Sequence, residues 1–517
     1  MQNQSVAFYP TPIRRQLYLG PMAEYAILHF QILHGDDRLA NFVQWGSMAG
    51  SVTGVSLLAK QLGARIRGQV MASAVCASIP MGILQSTSTQ TDYVAAFWLV
   101  CAVHLALQMR HGAGRAQTLG TGAALGLAVL TKGTAYIYAF PFFGWAAICI
   151  LRSRDRRRIL SLAVALALAF VINAPQFARN FAHYGSPLGP TGEGPGYTFA
   201  NDVFTAAGTT SNIVRNIGLH LGTPFEEANR FFEDAIVTLH ERLGASTRDP
   251  RTSWAGMEFH VPTPPSRFDL ANTPWAPLAT FNCHEDVSGN FLHLLLILAS
   301  LFVLIFARKS GTLLLYAASL IAAFTLFCAY LKWQPWNSRL HLSLFVLWAP
   351  VVGIALSRLR PAFLGNAITL IVLLMAFPWM AVNQTRPMAG HRSVFTHPRD
   401  DQYFFQRTEL AAPYKEAAER LAASGCGRIG LWMTGNDWEY PLWVQMRERN
   451  PGRFRMENVN VPGQPVREKL DDPESAAWIP CAIFSTDPAA PGTLTVDAAT
   501  FRRTWSPGPV SLFAIEP

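Results

Sequence analysis

The stretch AALGLAVLTKGTAYIYAFPF, residues 123–142, places a single lysine between two apolar segments. The Thr-Lys-Gly triplet at 131–133 interrupts the apolar pattern and marks a junction between two helices. A lysine at such a junction either extends its charge to the membrane surface or serves a polar site. The stretch therefore predicts two membrane helices that meet at Lys132.

Similar apolar segments recur on both sides, each about 14–21 residues long, and a bilayer core needs about 20 helical residues. We predict spans at residues 39–59, 68–84, 91–108, 118–131, 134–150, 159–174, 291–307, 311–331, 341–357 and 364–382. The chain is nevertheless 15% charged, so substantial polar mass lies between the spans. The predicted fold class is mainly α, a polytopic transmembrane helical bundle of about 10 spans.

Charge is distributed unequally between the connectors. Alternate connectors contain 14 basic residues and one acid, Asp155. The basic residues are Lys60, Arg65, Arg67, Arg110, Arg115, Arg152, Arg154, Arg156, Arg157, Arg158, Arg308, Lys309, Arg358 and Arg360. Positively charged loops stay in the cytoplasm, so the other connectors face outward. The net charge of +9 then reflects topology, and no nucleic-acid partner is expected.

Two long polar blocks fall on the outer side of this pattern. We assign 1–382 to a transmembrane domain, with a large outer loop at 175–290, and 383–517 to a periplasmic domain. Residues 21–34 have helical periodicity and precede the first span, which indicates a helix lying on the membrane or an ordinary amphipathic surface helix. Residues 1–38 have no signal-peptide pattern, so we expect an upstream helix that returns the N-terminus to the cytoplasm.

Helical and strand patterns alternate in the C-terminal block and predict an α/β unit with a partly parallel sheet. We expect a helix at 408–424, a strand at 427–433 and further strands at 453–461, 476–485 and 509–517. If the strands after Cys426 and Cys481 are neighbours, these cysteines form a disulfide; otherwise they are separate buried thiols. No catalytic nucleophile or nucleotide-binding motif appears here, so we expect a lid or docking role.

The order of motifs along the membrane part resembles the GT-C glycosyltransferases. These include protein O-mannosyltransferases, the lipid A aminoarabinose transferase and lipopolysaccharide-core galacturonosyltransferases. Besides the Lys132 stretch, the resemblance extends through FYPTPIRRQLYLGPMAEYAILHFQIL (8–33), STSTQTDYVAAFWL (86–99), NAPQFARNFAHYGSPLG (173–189), HEDVSGNFLH (284–293) and KWQPWNSRLHLSLFVLWAP (332–350).

This resemblance implies an inverting glycosyltransferase of the bacterial inner membrane whose active side faces the periplasm. Its partners would be a polyprenyl-phosphate-linked sugar donor, membrane lipid and an extracytoplasmic acceptor, which is a lipid, glycan or protein. A carboxylate activates the acceptor hydroxyl and cationic groups hold the departing phosphate. No cofactor is expected, and no ligand spacing in the sequence supports a metal site.

The resemblance implies catalytic roles for Asp92, Glu285 and Asp286, with the principal carboxylate upstream of Met1. For Asp92, an alternative is to cap the helix that begins at Tyr93. The implied substrate-binding residues are Lys132, His284, Asn290, His293, Lys332, Arg339 and His341. Lys332 and Arg339 are alternatively surface-reaching interface residues.

We expect an outer-facing cavity between the segment 284–293, Lys132, Asp92 and the loop carrying Arg339. We expect no carboxylate other than Asp92 or Glu285 at its centre. Two other functions stay open: a transporter of lipid-linked sugars, and a catalytically inactive GT-C-like protein. A transporter would need a polar path toward the bilayer centre, and the predicted spans contain few charges there.

Overall fold

A computed structural model describes residues 6–112, 114–190, 199–262, 281–306, 311–390, 392–452, 454–459, 479–496 and 499–516. It divides into two compact units. One is Leu19–Ser393, and the other is Val394–Pro517 together with Met1–Tyr18. The N-terminal segment thus belongs with the C-terminal residues, whereas the sequence-based domains group it with the spans. Its Thr11 is buried, and the Pro10 carbonyl accepts a hydrogen bond from Asn458 Nδ2 at 3.3 Å.

Most of the described chain is helical. The α-helices are α1 Arg15–Tyr18, α2 Met22–His34, α3 Phe42–Gln61, α4 Ile66–Ala77, α5 Pro80–Ser86, α6 Asp92–Met109, α7 Arg115–Thr131, α8 Thr134–Ser153, α9 Arg156–Tyr184, α10 Ala206–Gly218, α11 Glu226–Arg242, α12 Phe291–Phe306, α13 Gly311–Tyr330, α14 Asn337–Leu340, α15 Leu342–Arg358, α16 Ala362–Leu374, α17 Phe377–Ala381, α18 Arg399–Gln402, α19 Ala411–Ala423 and α20 Tyr440–Arg449. The β-strands are β1 Arg428–Trp432, β2 Arg455–Asn458, β3 Ala482–Ser485, β4 Thr493–Val496, β5 Ala499–Trp505 and β6 Ser511–Ile515.

Every predicted span contains a helix within the described residues. By length and composition five helical segments are able to cross a bilayer, namely α6, α8, α9, α13 and Ala362–Ala381. The pair α4–α5 forms a sixth, bent by 65°. The other four predicted spans are helical as α3, α7, α12 and α15. The predicted class, a mainly helical membrane bundle with a small C-terminal sheet domain, is confirmed, whereas the number of spans stays a prediction. Arg308 and Lys309 lie outside the described residues.

The bend between α4 and α5 has a local cause. Pro80 lacks a backbone N–H and disfavours helical geometry at the residue before it, so Ile79 is extended and α4 ends at Ala77. The first turn of α5 obtains a partner from a distant segment, because Met81 N–H donates to Asn290 Oδ1 at 3.0 Å. The bend brings α5 against the segment that leads into α12.

Helices α6 and α15 lie in the interior of the larger unit. All residues of α15 from Leu342 to Leu356 are buried, and α15 crosses α4 so closely that a Cβ at Gly353 would lie 2.4 Å from the Ala72 nitrogen. Large apolar side chains of outer helices, such as Phe170 and Phe302, are exposed and are therefore available to lipid. Asp92, the polar residue at the start of α6, is accordingly buried.

The smaller unit contains a six-stranded sheet in the order β2-β1-β3-β6-β5-β4. Strand β1 is parallel to β2 and β3, while β3, β6, β5 and β4 are successively antiparallel. The predicted partly parallel sheet is confirmed, and the predicted helix at 408–424 corresponds to α19. The hairpin β4–β5 was not predicted, although residues of β4 alternate between exposed and buried as a half-buried strand requires.

The parallel pairing of β1 and β3 places two cysteines side by side. Ile429 of β1 lies opposite Ala482 of β3. Cys426, just before β1, and Cys481, just before β3, form a disulfide with a Cα–Cα distance of 5.7 Å. This separation falls within the range that a disulfide requires. Of the two alternatives left open by the sequence, the disulfide is confirmed.

Candidate active site

Lys132 ends the apolar helix α7 and pairs with an acid at the start of another helix. Its Nζ donates to Asp92 Oδ1 at 2.5 Å, which joins the Thr-Lys-Gly junction to the first residue of α6. The Asp92 side chain is 3% exposed and that of Lys132 is 19% exposed. Solvent therefore reaches the lysine while the carboxylate stays within the protein. The second oxygen of Asp92 is buried without a hydrogen-bond partner among the described residues.

The capping role considered for Asp92 is wrong, because the cap of α6 comes from α3. The fully buried Gln44 accepts hydrogen bonds at its Oε1 from Tyr93 N–H at 2.8 Å and from Val94 N–H at 3.1 Å. These N–H groups belong to the first turn of α6, where a helix leaves its amides unsatisfied. Because Gln44 accepts the hydrogen bonds of these amides, the Asp92 carboxylate is not needed as a cap and pairs with Lys132 instead.

A second cation lies close to Lys132. Arg339, on the short helix α14, donates to Asp286 Oδ1 at 2.7 Å and also to Gln90 Oε1. Gln90 in turn donates to Asp286 Oδ1 at 3.0 Å. Burial lowers the pKa of Lys132, Asp92 opposes that shift, and the nearby positive charge of Arg339 lowers the pKa further. Gln90 lies two residues before Asp92, so its contacts with Asp286 and Arg339 bring these two residues to the segment that carries Asp92 and its partner Lys132.

Glu285 faces a different partner from its neighbour Asp286. Its carboxylate pairs with Arg386 and accepts a hydrogen bond from Thr385 Oγ1 at 3.1 Å, and its side chain is 12% exposed. Burial lowers the pKa of Arg386 to about 10. Asn383 Oδ1 accepts from the backbone N–H of Thr385 and of Arg386, which fixes this turn. Arg386 was missed by the sequence analysis; its position soon after the last span was the available signal.

Three of the implied substrate-binding residues are buried inside the protein. Asn290 is fully buried and holds the first turn of α5. The ring of His293 contacts Ser78 Oγ at 3.2 Å and the Val75 carbonyl at 3.1 Å. His341 is 1% exposed and pairs with His220 at 2.9 Å. The contacts of Asn290 and His293 connect the start of α12 to the bend between α4 and α5, and that of His341 connects the start of α15 to the segment after α10. They favour a structural role for all three residues.

The remaining candidates lie at the edges of this cluster. His284 Nδ1 accepts the backbone N–H of Asp286 at 3.1 Å, which supports the turn that presents Asp286. Lys332 Nζ pairs with Asp202 at 2.8 Å, and no contact among the described residues joins it to Lys132 or Arg339. No group of three or more His, Cys, Asp or Glu side chains within the described ranges is placed to hold a metal ion.

A carboxylate that the sequence analysis did not place at this site also lies there. Glu24, on α2, is close enough to Lys132 for the lysine to lower its pKa, although burial has the larger effect and raises the pKa overall. Its side chain is nevertheless exposed to solvent. The expectation that only Asp92 or Glu285 would reach the centre of a cavity stays a prediction. The enclosing cavity likewise stays a prediction.

The profile of the dolichyl-phosphate-mannose-protein mannosyltransferase family matches residues 19–175. The matched region contains Glu24, Asp92 and Lys132, and protein O-mannosyltransferases are GT-C enzymes. The predicted GT-C resemblance is confirmed. No curated protein matches the chain.

Several solved structures are similar to this GT-C-like chain. ArnT from Cupriavidus metallidurans bound to undecaprenyl phosphate has 15% sequence identity and a TM-score of 0.49, with 96% of this chain and 88% of that chain covered. The apo state of the same protein has 13% identity and a TM-score of 0.48 over the same shares. The Archaeoglobus fulgidus oligosaccharyltransferase in complex with zinc and sulfate has 15% identity and a TM-score of 0.42, with 91% of this chain and 59% of that chain covered.

Proposed function

We propose that this protein transfers a sugar from a polyprenyl-phosphate donor to an acceptor hydroxyl at the outer face of the cytoplasmic membrane, with inversion. The observation that carries the proposal is the convergence of Lys132 and Arg339, two partly exposed cations held in place by acids. The family match supports the same class of reaction.

Lys132 and Arg339 suit a departing phosphate because each retains hydrogen-bond donors. Lysine has three N–H donors and arginine five. Asp92 takes one from Lys132, while Asp286 and Gln90 both accept from Nη1 of Arg339. The acids and Gln90 hold the cations in place before the donor arrives, which reduces reorganisation during the reaction. A phosphate group could then accept hydrogen bonds from both cations at once.

The proposed step is a single displacement. The acceptor oxygen attacks the anomeric carbon on the face opposite the phosphate, and the bond from that carbon to the phosphate oxygen breaks. The electron pair of this bond leaves with the polyprenyl phosphate, whose charge Lys132 and Arg339 stabilise. The hydroxyl proton passes to a carboxylate of the protein.

The position of the charges distinguishes this function from transport. Asp92 is the first residue of α6 and Lys132 directly follows α7, so both charged groups lie at helix ends. A transporter needs ionisable or polar groups that continue toward the middle of the membrane. The arrangement at helix ends favours chemistry on a lipid headgroup at the membrane surface.

The proposal is tested with the full chain reconstituted in lipid nanodiscs. Binding of undecaprenyl phosphate is measured first, and release of polyprenyl phosphate from donors carrying a hexose, pentose or uronic acid is then measured with outer-envelope glycolipid as acceptor. Release reports transfer whatever the acceptor, once acceptor-free samples have been subtracted for hydrolysis.

We expect wild-type protein to bind the lipid phosphate, and Lys132→Ala and Arg339→Gln to weaken that binding at least about tenfold, the scale of a lost charge-assisted contact. Lys332→Ala is the matched control, because this lysine pairs with Asp202 away from the cluster. Wild-type protein that does not bind undecaprenyl phosphate would contradict the proposal.

A further inference from the structure

Helix α2 is pressed against the end of α7 that carries Lys132. The approach is so close at Gly20 that an added Cβ would lie 2.2 Å from the Leu130 carbonyl oxygen. One turn into the helix, Tyr25 Oη accepts a hydrogen bond from Arg179 Nη2 of α9 at 3.3 Å. These two contacts fix the first turn of α2, and Glu24 lies between them in the sequence.

Glu24 differs from Asp92 and Glu285 because its side chain is exposed to solvent, whereas theirs are 3% and 12% exposed. It differs from Asp286, which is 36% exposed, because the described residues show no ion pair for Glu24. Protein surrounds the carboxyl group sufficiently to raise its pKa, yet the side chain is exposed to solvent. Lys132, which is itself partly exposed, acts on it electrostatically from α7.

The three acids named from the sequence are less suited to accept a proton. Asp92 is 3% exposed and is bound to Lys132. Asp286 is held by Arg339 and Gln90, and Glu285 by Arg386 and Thr385. A carboxylate whose oxygens already accept hydrogen bonds from protein donors has fewer free lone pairs for an acceptor hydroxyl. For Glu24 the described residues show no ion pair, and its own backbone N–H is the hydrogen-bond donor to it.

We propose that Glu24 is the carboxylate that accepts the proton of the acceptor hydroxyl; this rests on the proposed function. The acceptor O–H bond breaks as its oxygen bonds to the anomeric carbon, and the proton moves to a carboxylate oxygen of Glu24. The phosphate leaves toward Lys132 and Arg339 with the electron pair of the broken bond. The base thus lies on α2, and the leaving-group cations lie at the end of α7 and on α14, so the acceptor and donor would meet between these helices.

The test compares Glu24→Gln, Glu24→Asp and the control Asp36→Asn in full-length protein. Gln has the shape of Glu but does not accept the proton, and Asp retains the carboxylate at a shorter reach. Asp36 is an exposed acid shortly after the same helix and pairs with Arg38 and His34. For each variant, Kd for undecaprenyl phosphate, kcat of transfer, its pH profile and thermal stability are measured.

We expect Glu24→Gln to reduce kcat by about 10²–10⁴-fold, as loss of a general base does, with unchanged Kd for the lipid phosphate. Glu24→Asp should recover part of the rate and Asp36→Asn all of it. In wild-type protein kcat should fall as pH drops through the raised pKa of Glu24, and Glu24→Gln should lose that limb. A merely structural role would instead alter Kd or stability.

Three results separate the inference from the function on which it rests. If Glu24→Gln transfers at the wild-type rate, Glu24 is not the base and the transferase proposal stands. If wild-type protein binds undecaprenyl phosphate but transfers to no acceptor, the donor site stands and Glu24 does not supply the base. If wild-type protein neither binds nor transfers, both proposals fail together.

Discussion

Lys132 Nζ and Asp92 Oδ1 are 2.5 Å apart, although 40 residues separate them in the chain. The bond joins the end of α7 to the start of α6 and places the carboxylate almost entirely out of solvent. A buried ion pair adds little net stability compared with a well-packed apolar pair, because both charges lose hydration. The proposed function accounts for the pair through its need for the lysine charge.

The first prediction distinguishes a role of the Lys132 charge in transfer from a role in the stability of the fold. In Lys132→Ala, Asp92 loses its partner, and an unpaired buried charge costs roughly 3–5 kcal/mol, so both thermal stability and transfer should fall. Lys132→Arg keeps the charge with a different geometry and should recover part of the transfer. The double variant Asp92→Leu with Lys132→Met removes both charges and should fold stably, yet bind undecaprenyl phosphate at least about tenfold more weakly than the wild type. Unchanged turnover in Lys132→Ala would show that the lysine only reaches the membrane surface.

The second prediction concerns Gln44, which holds the first turn of α6. Gln44→Leu removes the acceptor for two helix-terminal amides and should lower stability by about 0.5–2 kcal/mol, the usual value of a lost cap. Because Asp92 begins the same turn, transfer should also decrease. The matched control is Gln108→Leu at the other end of α6, whose side chain contacts His104 of its own helix. Equal loss of activity in both variants would mean that the helix as a whole, and not its capped end, is being disturbed.

The sequence predicted those features that depend on local pattern. Apolar segments predicted helices, and Lys132 was identified because a charge between two such helices needs an explanation. The cap by Gln44 and the pairing of Arg386 with Glu285 were not predictable, since each joins segments far apart in the chain. Glu24 was missed for the same reason: its place at the site follows from the close approach of Gly20 to Leu130.

The third prediction concerns the orientation of the membrane unit. Reporter fusions after Leu62, Asp155 and Arg360 should report the cytoplasm, since these positions lie in the basic connectors. Fusions after Arg230 and Asn450 should report the outside. Paired alkaline phosphatase and green fluorescent protein fusions at each site provide opposite readouts, so failed expression is not mistaken for a location. One reversed assignment among the basic connectors would contradict the charge argument.

The last prediction uses the disulfide to ask which compartment the sheet unit occupies. Cys426 and Cys481 are bonded, while Cys76, Cys101, Cys149, Cys283 and Cys328 are free. Protein purified with rapid thiol blocking should therefore show five reactive thiols after denaturation, and all seven after reduction. A persistent disulfide indicates an oxidising compartment, which agrees with an outer location for this unit.

Breaking the bond should also weaken the unit measurably. The bridge closes a loop of 55 residues, and the chain-entropy relation gives about 4 kcal/mol for a loop of that length. Replacing both cysteines by alanine should lower the Tm of the sheet unit, and a reductant should then cause no further change, whereas it should lower the Tm of the wild type. Seven thiols without reductant would show that these cysteines stay reduced and would contradict the outer location of the sheet.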